Sequence, residues 1–326
     1  MLTHKERLQT CLSAQTPDRP PVALWRHFPI DDQTPDGLAA AALHFQRTYD
    51  FDLVKVTPSS SFCLKDWGVE DEWLGDPEGT RRYTKRVIQD PQDWEKLRPL
   101  PPSSAHLSDQ LTCLRQIRRG LDPETPVIQT IFSPLSQAKN LAGGQTLLIH
   151  IRKYPEAVLS GLEVVAKTTL DFIEAARETG IDGIFYAVQH AQAGLLSRVE
   201  FQQFEKAHDL SLLESTRDLW CNLVHLHGDQ VYFDLVADYP AHILNWHDRD
   251  TPPSLRQAQE KYNGVVCGGL SRETIVLGTP EQVRQEAADA IAQTAGKRFM
   301  LGTGCVVPII APHGNLLAAR QSVEAG

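Results

Sequence analysis

Residues 223–229 read LVHLHGD, so His225 and His227 stand two apart in an otherwise apolar stretch. Side chains at i and i+2 of a strand share a face, and both imidazoles would therefore point the same way. Burying the pair requires partners for every ring nitrogen. A metal is one answer. His-x-His presents two nitrogens to a single ion, and Cys305, near the last apolar run, offers a thiolate. Two imidazoles, one thiolate and an open position make a catalytic zinc site, with zinc about 2.0–2.1 Å from nitrogen and about 2.3 Å from sulfur. Rim histidines bonded to each other and to water fit the same spacing. Cys305 taken alone reads as a small buried residue.

Other polar residues fall in comparable places. The apolar runs end in Trp25, Arg26 and His27, in Lys55 and Thr57, in Gln189 and His190, in Asn245 and His247, and in Thr303 and Cys305. The whole chain has only 12 histidines, so their concentration at run ends is a signal. His190, His247 and Asn245 are the catalytic candidates, the histidines as further ligands or as a general base. Trp25, Arg26, His27, Lys55, Gln189 and Trp246 are the substrate-binding candidates. Trp25, Phe28 and Trp246 would wall a flat apolar cofactor. Lys55 would take a carboxylate or snorkel to solvent. Asp229 and Asp248 would orient an imidazole from behind.

These residues need elements to place them. Eight strand-like runs lie at 19–27, 51–58, 125–134, 180–190, 221–229, 241–248, 263–271 and 297–308. Helical patterns lie at 34–50, 154–180, 197–220 and 279–296, with Thr-Pro openings at 34 and 279 and glycine stops at 180 and 296. An N-terminal amphipathic helix places Leu8, Cys11 and Leu12 on one face. Eight strands alternating with helices predict a (β/α)8 barrel, whose active site gathers at the C-terminal strand ends. An open doubly wound sheet would carry a glycine-rich loop after its first strand, and WRHFPIDD is not one. Residues 59–124 read as a long excursion of hairpin and loop character. Residues 1–326 are otherwise taken as one domain.

With a net charge of −9 and no basic run, the chain is not built for nucleic acid or an anionic membrane surface. Hydrophobic residues at 41% and charged residues at 22% describe a soluble globular protein. The opening MLTHKERLQTCLSAQTPDRP lacks the apolar core of a signal peptide. Six scattered cysteines with no CxxC pair suit a reducing cytoplasm. A monomer or a homodimer is expected.

Three segments carry a family resemblance. KERLQTCLSAQTPDRPPVALW, GGLSRETIVLGTPEQVRQEAADAI and LGTGCVVPIIAPHGNLLAARQSVE resemble the opening and ending of uroporphyrinogen decarboxylase-like proteins, and the likeness runs over nearly the whole chain. It implies the barrel. LVHLHGD falls where related methyltransferases that use a corrinoid cofactor carry a zinc-binding His-x-Cys. Carried over, His225 matches the histidine, Cys305 matches a cysteine of the last strand, and His227 replaces the middle cysteine. Imidazole for thiolate keeps a metal site but lowers the negative charge on the metal.

The departures are equally informative. The decarboxylases carry an arginine loop RQAGRY after strand one and an aspartate in FSDIL after strand two, whereas this chain has LWRHFPI and VKVTPSS. An octa-anionic porphyrinogen would then meet too little positive charge. The resemblance therefore implies first a zinc-dependent methyltransferase working with a corrinoid, folate-type or thiol partner, with a small-molecule substrate and a corrinoid protein as the expected partners. It implies second a decarboxylase of uroporphyrinogen or a related carboxylate. A non-catalytic module binding a corrinoid or tetrapyrrole is the third expectation.

Overall fold

The computed structural model describes residues 1–324. Helix α1 (His4–Leu12) buries Leu8 and Cys11 and is closed by a capping box between Thr3 and Glu6. It is followed by α2 (Pro35–Tyr49) and β1 (Val54–Val56). The excursion holds an antiparallel hairpin, β2 (Glu70–Glu72) with β3 (Arg82–Lys85), and then the 16-residue helix α3 (Ala105–Gly120). The barrel resumes with β4 (Val127–Phe132), α4 (Pro134–Ala142), α5 (Gly144–Lys153), α6 (Pro155–Arg177) and β5 (Gly183–Val188). Next come α7 (Arg198–Phe201), a π-helical turn, α8 (Ala207–Glu214), β6 (Leu223–Leu226), α9 (Phe233–Val236) and β7 (Ile243–Trp246). The chain ends through α10 (Leu255–Lys261), β8 (Val265–Leu270), α11 (Arg272–Leu277), α12 (Pro280–Thr294), β9 (Phe299–Thr303) and α13 (His313–Gln321).

Seven parallel strands run in the order β1-β4-β5-β6-β7-β8-β9. Residues 21–23 close the ring. Val22 bridges Leu301 in parallel, Leu301 N donates to Pro21 O at 2.8 Å, and Asp52 N donates to Val22 O at 2.8 Å. The run at 19–27 was expected to be a full strand and is reduced to this bridge. Pro20 and Pro21 have no N–H to give to a ladder. The other seven runs each contain one strand of the sheet, and the fold is a (β/α)8 barrel.

Strands buried on both faces read as continuous apolar runs, and every residue of β4 to β9 is buried. On β6, Leu223 and His225 share one face and Val224 and Leu226 the other, and His225 registers with Asn245 on β7. Among the described residues, no helix is long and apolar enough to cross a membrane.

Candidate metal centre

Four side chains meet at the C-terminal mouth of the barrel. One ligand atom each from His225, His227, His247 and Cys305 lies within 4.8 Å of the others. His225 is on β6, His227 and His247 directly follow β6 and β7, and Cys305 follows β9. The rings of His227 and His247 have centroids 5.2 Å apart, and Cys305 Sγ is 3.7 Å from His227 Nδ1. Cys305 reaches β7 across β8 because residue 304 is glycine. A Cβ there would stand 2.6 Å from the Cα of His247 and 2.9 Å from Trp246 O. Thr303 Oγ1 also donates to Cys305 O at 2.5 Å and holds the turn.

Asn245 settles the chemistry of His225. Its amide nitrogen donates to Cys267 O and Thr303 O, both at 3.0 Å. Its oxygen therefore faces His225 Nδ1 at 2.7 Å and can only accept. His225 must carry its proton on Nδ1, which leaves the Nε2 lone pair for a metal. His247 Nε2 is buried with no hydrogen-bond partner among the described residues, and its Nδ1 lies 3.5 Å from Asp250 Oδ2. One oriented imidazole, one orphaned nitrogen, a third imidazole and a thiol are a donor set that fits zinc.

Burial, reinforced by the neighbouring cationic groups, keeps these imidazoles neutral. It takes His227 down to about 3 and His225 well below the usual range. Burial raises the Cys305 thiol, against the pull of Arg272 and Lys55. Neutral imidazole is the form that ligates a metal.

A cavity of about 370 Å³ opens beside the cluster, toward the low end of the roughly 300–1,000 Å³ usual for small-molecule sites. Trp25, His27, Lys55 and Gln189 line it, as do His225, His227 and Cys305. Burial lowers Lys55 to about 7, and its Nζ stands 4.4 Å from the Phe185 ring centroid. His27 falls to about 3, chiefly by burial.

Several expected residues stand elsewhere. Trp246 was expected to bind substrate, but it alternates with Asn245 and His247 and so faces outward. It is fully buried against Phe233 and donates to Pro253 O at 2.9 Å. The same alternation turns Arg26 away from Trp25 and His27. Its guanidinium lies 5.2 Å from the Phe28 ring centroid and donates to Ile309 O. Neither residue lines the cavity. Asn245, expected to be catalytic, is fully buried, does not line the cavity and bonds to His225 Nδ1. His190 is buried with Nδ1 unpartnered and does not line the cavity. Asp248 accepts from Gly269 N and Asp229 from Gln230 N, so neither orients an imidazole.

The sequence reading missed Arg81, Tyr83 and Arg86 from the excursion and Lys139 from α4, all of which line the cavity. It had found the mouth short of positive charge. Four cations in fact line it, supplied by segments other than the loop after strand one. Lys55 was among the expected residues, arginine density at 81–86, in RRYTKR, was the advance signal for Arg81 and Arg86, and Lys139 had none.

Comparison with known proteins gives the following. The family model described as uroporphyrinogen decarboxylase (URO-D) matches residues 3–325. No curated protein matches the sequence. Among solved structures, a methyltransferase from Methanosarcina mazei is similar over 100% of both chains, with a TM-score of 0.88 at 19% identity. A B12-independent methionine synthase from Shewanella sp. W3-18-1, in complex with selenomethionine, aligns over 93% of this chain and 92% of its own, with a TM-score of 0.60 at 14% identity. A putative vitamin-B12 independent methionine synthase from Listeria monocytogenes aligns over 95% of each chain, with a TM-score of 0.53 at 9% identity. At these identities the likeness is one of fold.

Proposed function

The chain belongs to the uroporphyrinogen decarboxylase (URO-D) family of enzymes, and on that premise we propose that it is a zinc-dependent methyltransferase. His225, His227 and Cys305 hold the metal, with His247 as the fourth or reserve ligand. The observation that carries the reading is the convergence of these four donors within 4.8 Å at the barrel mouth. Zinc held by these residues would supply Lewis acidity to the nucleophile. Asn245 fixes the tautomer of His225. Lys55 lines the same cavity as Cys305 and its charge pulls against the burial that raises the thiol. Trp25 and Phe185, in edge contact at 5.3 Å, form an apolar wall that keeps water from the reacting atoms. The methyl group is exchanged with a corrinoid, folate-type or thiol partner.

A second reading, metal-free decarboxylation of a small carboxylate, is favoured by one observation. Lys55, Arg86 and Lys139 line the cavity, and none has a carboxylate partner among the described residues. Three such cations do not answer the eight carboxylates of uroporphyrinogen. Formation of coproporphyrinogen at about one turnover per second or more would overturn that judgement.

Metal content separates the two readings. Protein purified without chelators and supplied with zinc binds one equivalent. His225→Ala abolishes stoichiometric zinc, and replacing exposed His313 by alanine does not. Wild-type protein that takes up no zinc under these conditions rejects the methyltransferase reading.

A further inference from the structure

The cavity beside the cluster is unusually cationic for a chain of net charge −9. Among its lining residues the only carboxylate is Glu78, and Glu78 pairs with Arg272. Arg81 is taken up by Asp32 at 2.5 Å. Lys55, Arg86 and Lys139 remain without an acid. Lys55 shares the cavity with Cys305, whose thiolate, when formed, would balance it. Arg86 and Lys139 have no such counter-charge.

Both are held for use. Arg86 Nη1 donates to Lys139 O at 3.3 Å and Asn140 O at 2.5 Å, and its guanidinium stands 4.8 Å from the Tyr83 ring centroid. Its Nε and Nη2 donate to nothing among the described residues. These two N–H groups form the edge that takes an oxyanion side-on. Lys139 Nζ makes one bond, to Gln189 Oε1 at 2.7 Å, and has two donors left. The carbonyl bonds of Arg86 run to the segment that carries Lys139, which keeps the two cations together. Burial, and then the charge of Arg86, weaken Lys139 as a base. Arg86 and Lys139 line the same cavity as His225, His227 and Cys305, so the pair shares one chamber with the metal cluster. Trp25 Nε1 and Arg81 Nε, from residues lining the same cavity, are further buried donors without a partner.

We infer that Arg86 and Lys139 form an oxyanion subsite, and that the substrate is a compact molecule with a carboxylate or phosphonate at one end and its reacting atom at the metal cluster. This rests on reading the cavity as the substrate site of the proposed enzyme, but not on methyl transfer. A cation pair held in a partly closed cavity costs desolvation and self-repulsion unless an anion arrives. Arg86 from β3's C-terminal flank and Lys139 from α4 meet only in the fold.

The test uses full-length protein and three probes that share a propyl chain: butyrate, propylphosphonate and neutral butyramide. Binding is measured by titration calorimetry and by quenching of tryptophan fluorescence, on zinc-loaded and chelator-treated protein. Both anions bind in both states, and butyramide binds at least about tenfold more weakly. Lys139→Gln and Arg86→Gln each weaken the anions about tenfold or more, and Lys139→Arg restores binding to within about threefold. Because Arg86→Gln also frees two backbone carbonyls, the Lys139 pair decides the matter if that variant misfolds. Equal binding of butyramide, wild-type affinity in Lys139→Gln, or no binding of either anion to folded protein overturns the inference. Anion binding that appears only with zinc also overturns it, by assigning the anion to the metal. Protein that binds the anions but no zinc would sink the methyltransferase reading alone.

Discussion

Asn245 decides which nitrogen His225 offers. Both bonds from its amide nitrogen end on carbonyl oxygens, so its oxygen is committed to the imidazole. Orienting groups of this kind are commonly worth about 10–100-fold in metal affinity. Two replacements separate orientation from packing. Asn245→Asp still accepts from His225 Nδ1 but cannot donate to Cys267 O and Thr303 O. It should keep zinc affinity within about threefold, while unpairing two buried carbonyls costs on the order of 1–3 kcal/mol each. Asn245→Leu loses both functions, and its zinc affinity should fall about 10–100-fold. Chelator competition reads the affinity, and thermal unfolding of the zinc-free protein reads the stability. Equal zinc affinity in the two variants would remove Asn245 from the site's chemistry.

At the scale of elements, the turn after β9 brings the fourth donor to the cluster. β9 pairs with β8 and β8 with β7, so Cys305 starts two strands from His247. The turn closes that gap because Gly304 packs on the β7 backbone with no room for a side chain. Gly304→Ala must move the turn, since the contacts are backbone atoms that cannot rotate away. Zinc affinity should drop at least about tenfold, the loss expected when one of four ligands is displaced. Cobalt substitution reports it directly, because the sulfur-to-cobalt charge-transfer band should weaken in Gly304→Ala and in Cys305→Ser alike. An unchanged band in Gly304→Ala would show that Cys305 reaches the metal without this close packing.

At the scale of the molecule, the opposite end of the barrel is closed by charge. Asp52, fully buried, accepts from His4 Nδ1, Arg7, Arg19 and the Val22 backbone at 2.6–3.0 Å. It joins α1, the proline-weakened first run and the approach to β1. Burial alone would raise its carboxyl, but these donors outweigh burial and hold it well below the ordinary carboxylate range. His4 is raised, first by its bond to Asp52. A raised histidine contributes stability that is complete below its unfolded value of about 6.5 and is lost as pH climbs through the folded one. A depressed aspartate contributes stability that is complete above about 3.9 and is lost as pH falls. The thermal midpoint of His4→Gln should therefore lie furthest below wild type near about pH 5 and converge on it by about pH 9. Asp52→Asn should cost on the order of 3–5 kcal/mol at neutral pH, since it leaves Arg7 and Arg19 buried with too little counter-charge. A pH-independent gap for His4→Gln would reduce its role to packing.

Much of this was readable in the chain, for reasons that are local. Period-two alternation placed His225 with His227 and Asn245 with His247, each pair on one face of its strand, because the pleat alone sets which way a side chain points. Thr34 and Thr279 marked helix starts through their own hydroxyls, which accept from Gly37 N and Gln282 N. Alternation also spoke against Trp246 and Arg26 as mouth residues, since each sits between two inward neighbours. Other features had no local signal. Arg86 and Lys139 lie 53 residues apart and become neighbours through backbone bonds between the excursion and α4. Cys305 and His227 are 78 residues apart and meet because the barrel curls and Gly304 yields space. Periodicity and caps act over one turn or one strand and so can be read in order along the chain. Closing the ring sets distances between residues far apart in sequence, and those distances assemble the cluster and line its cavity with charge.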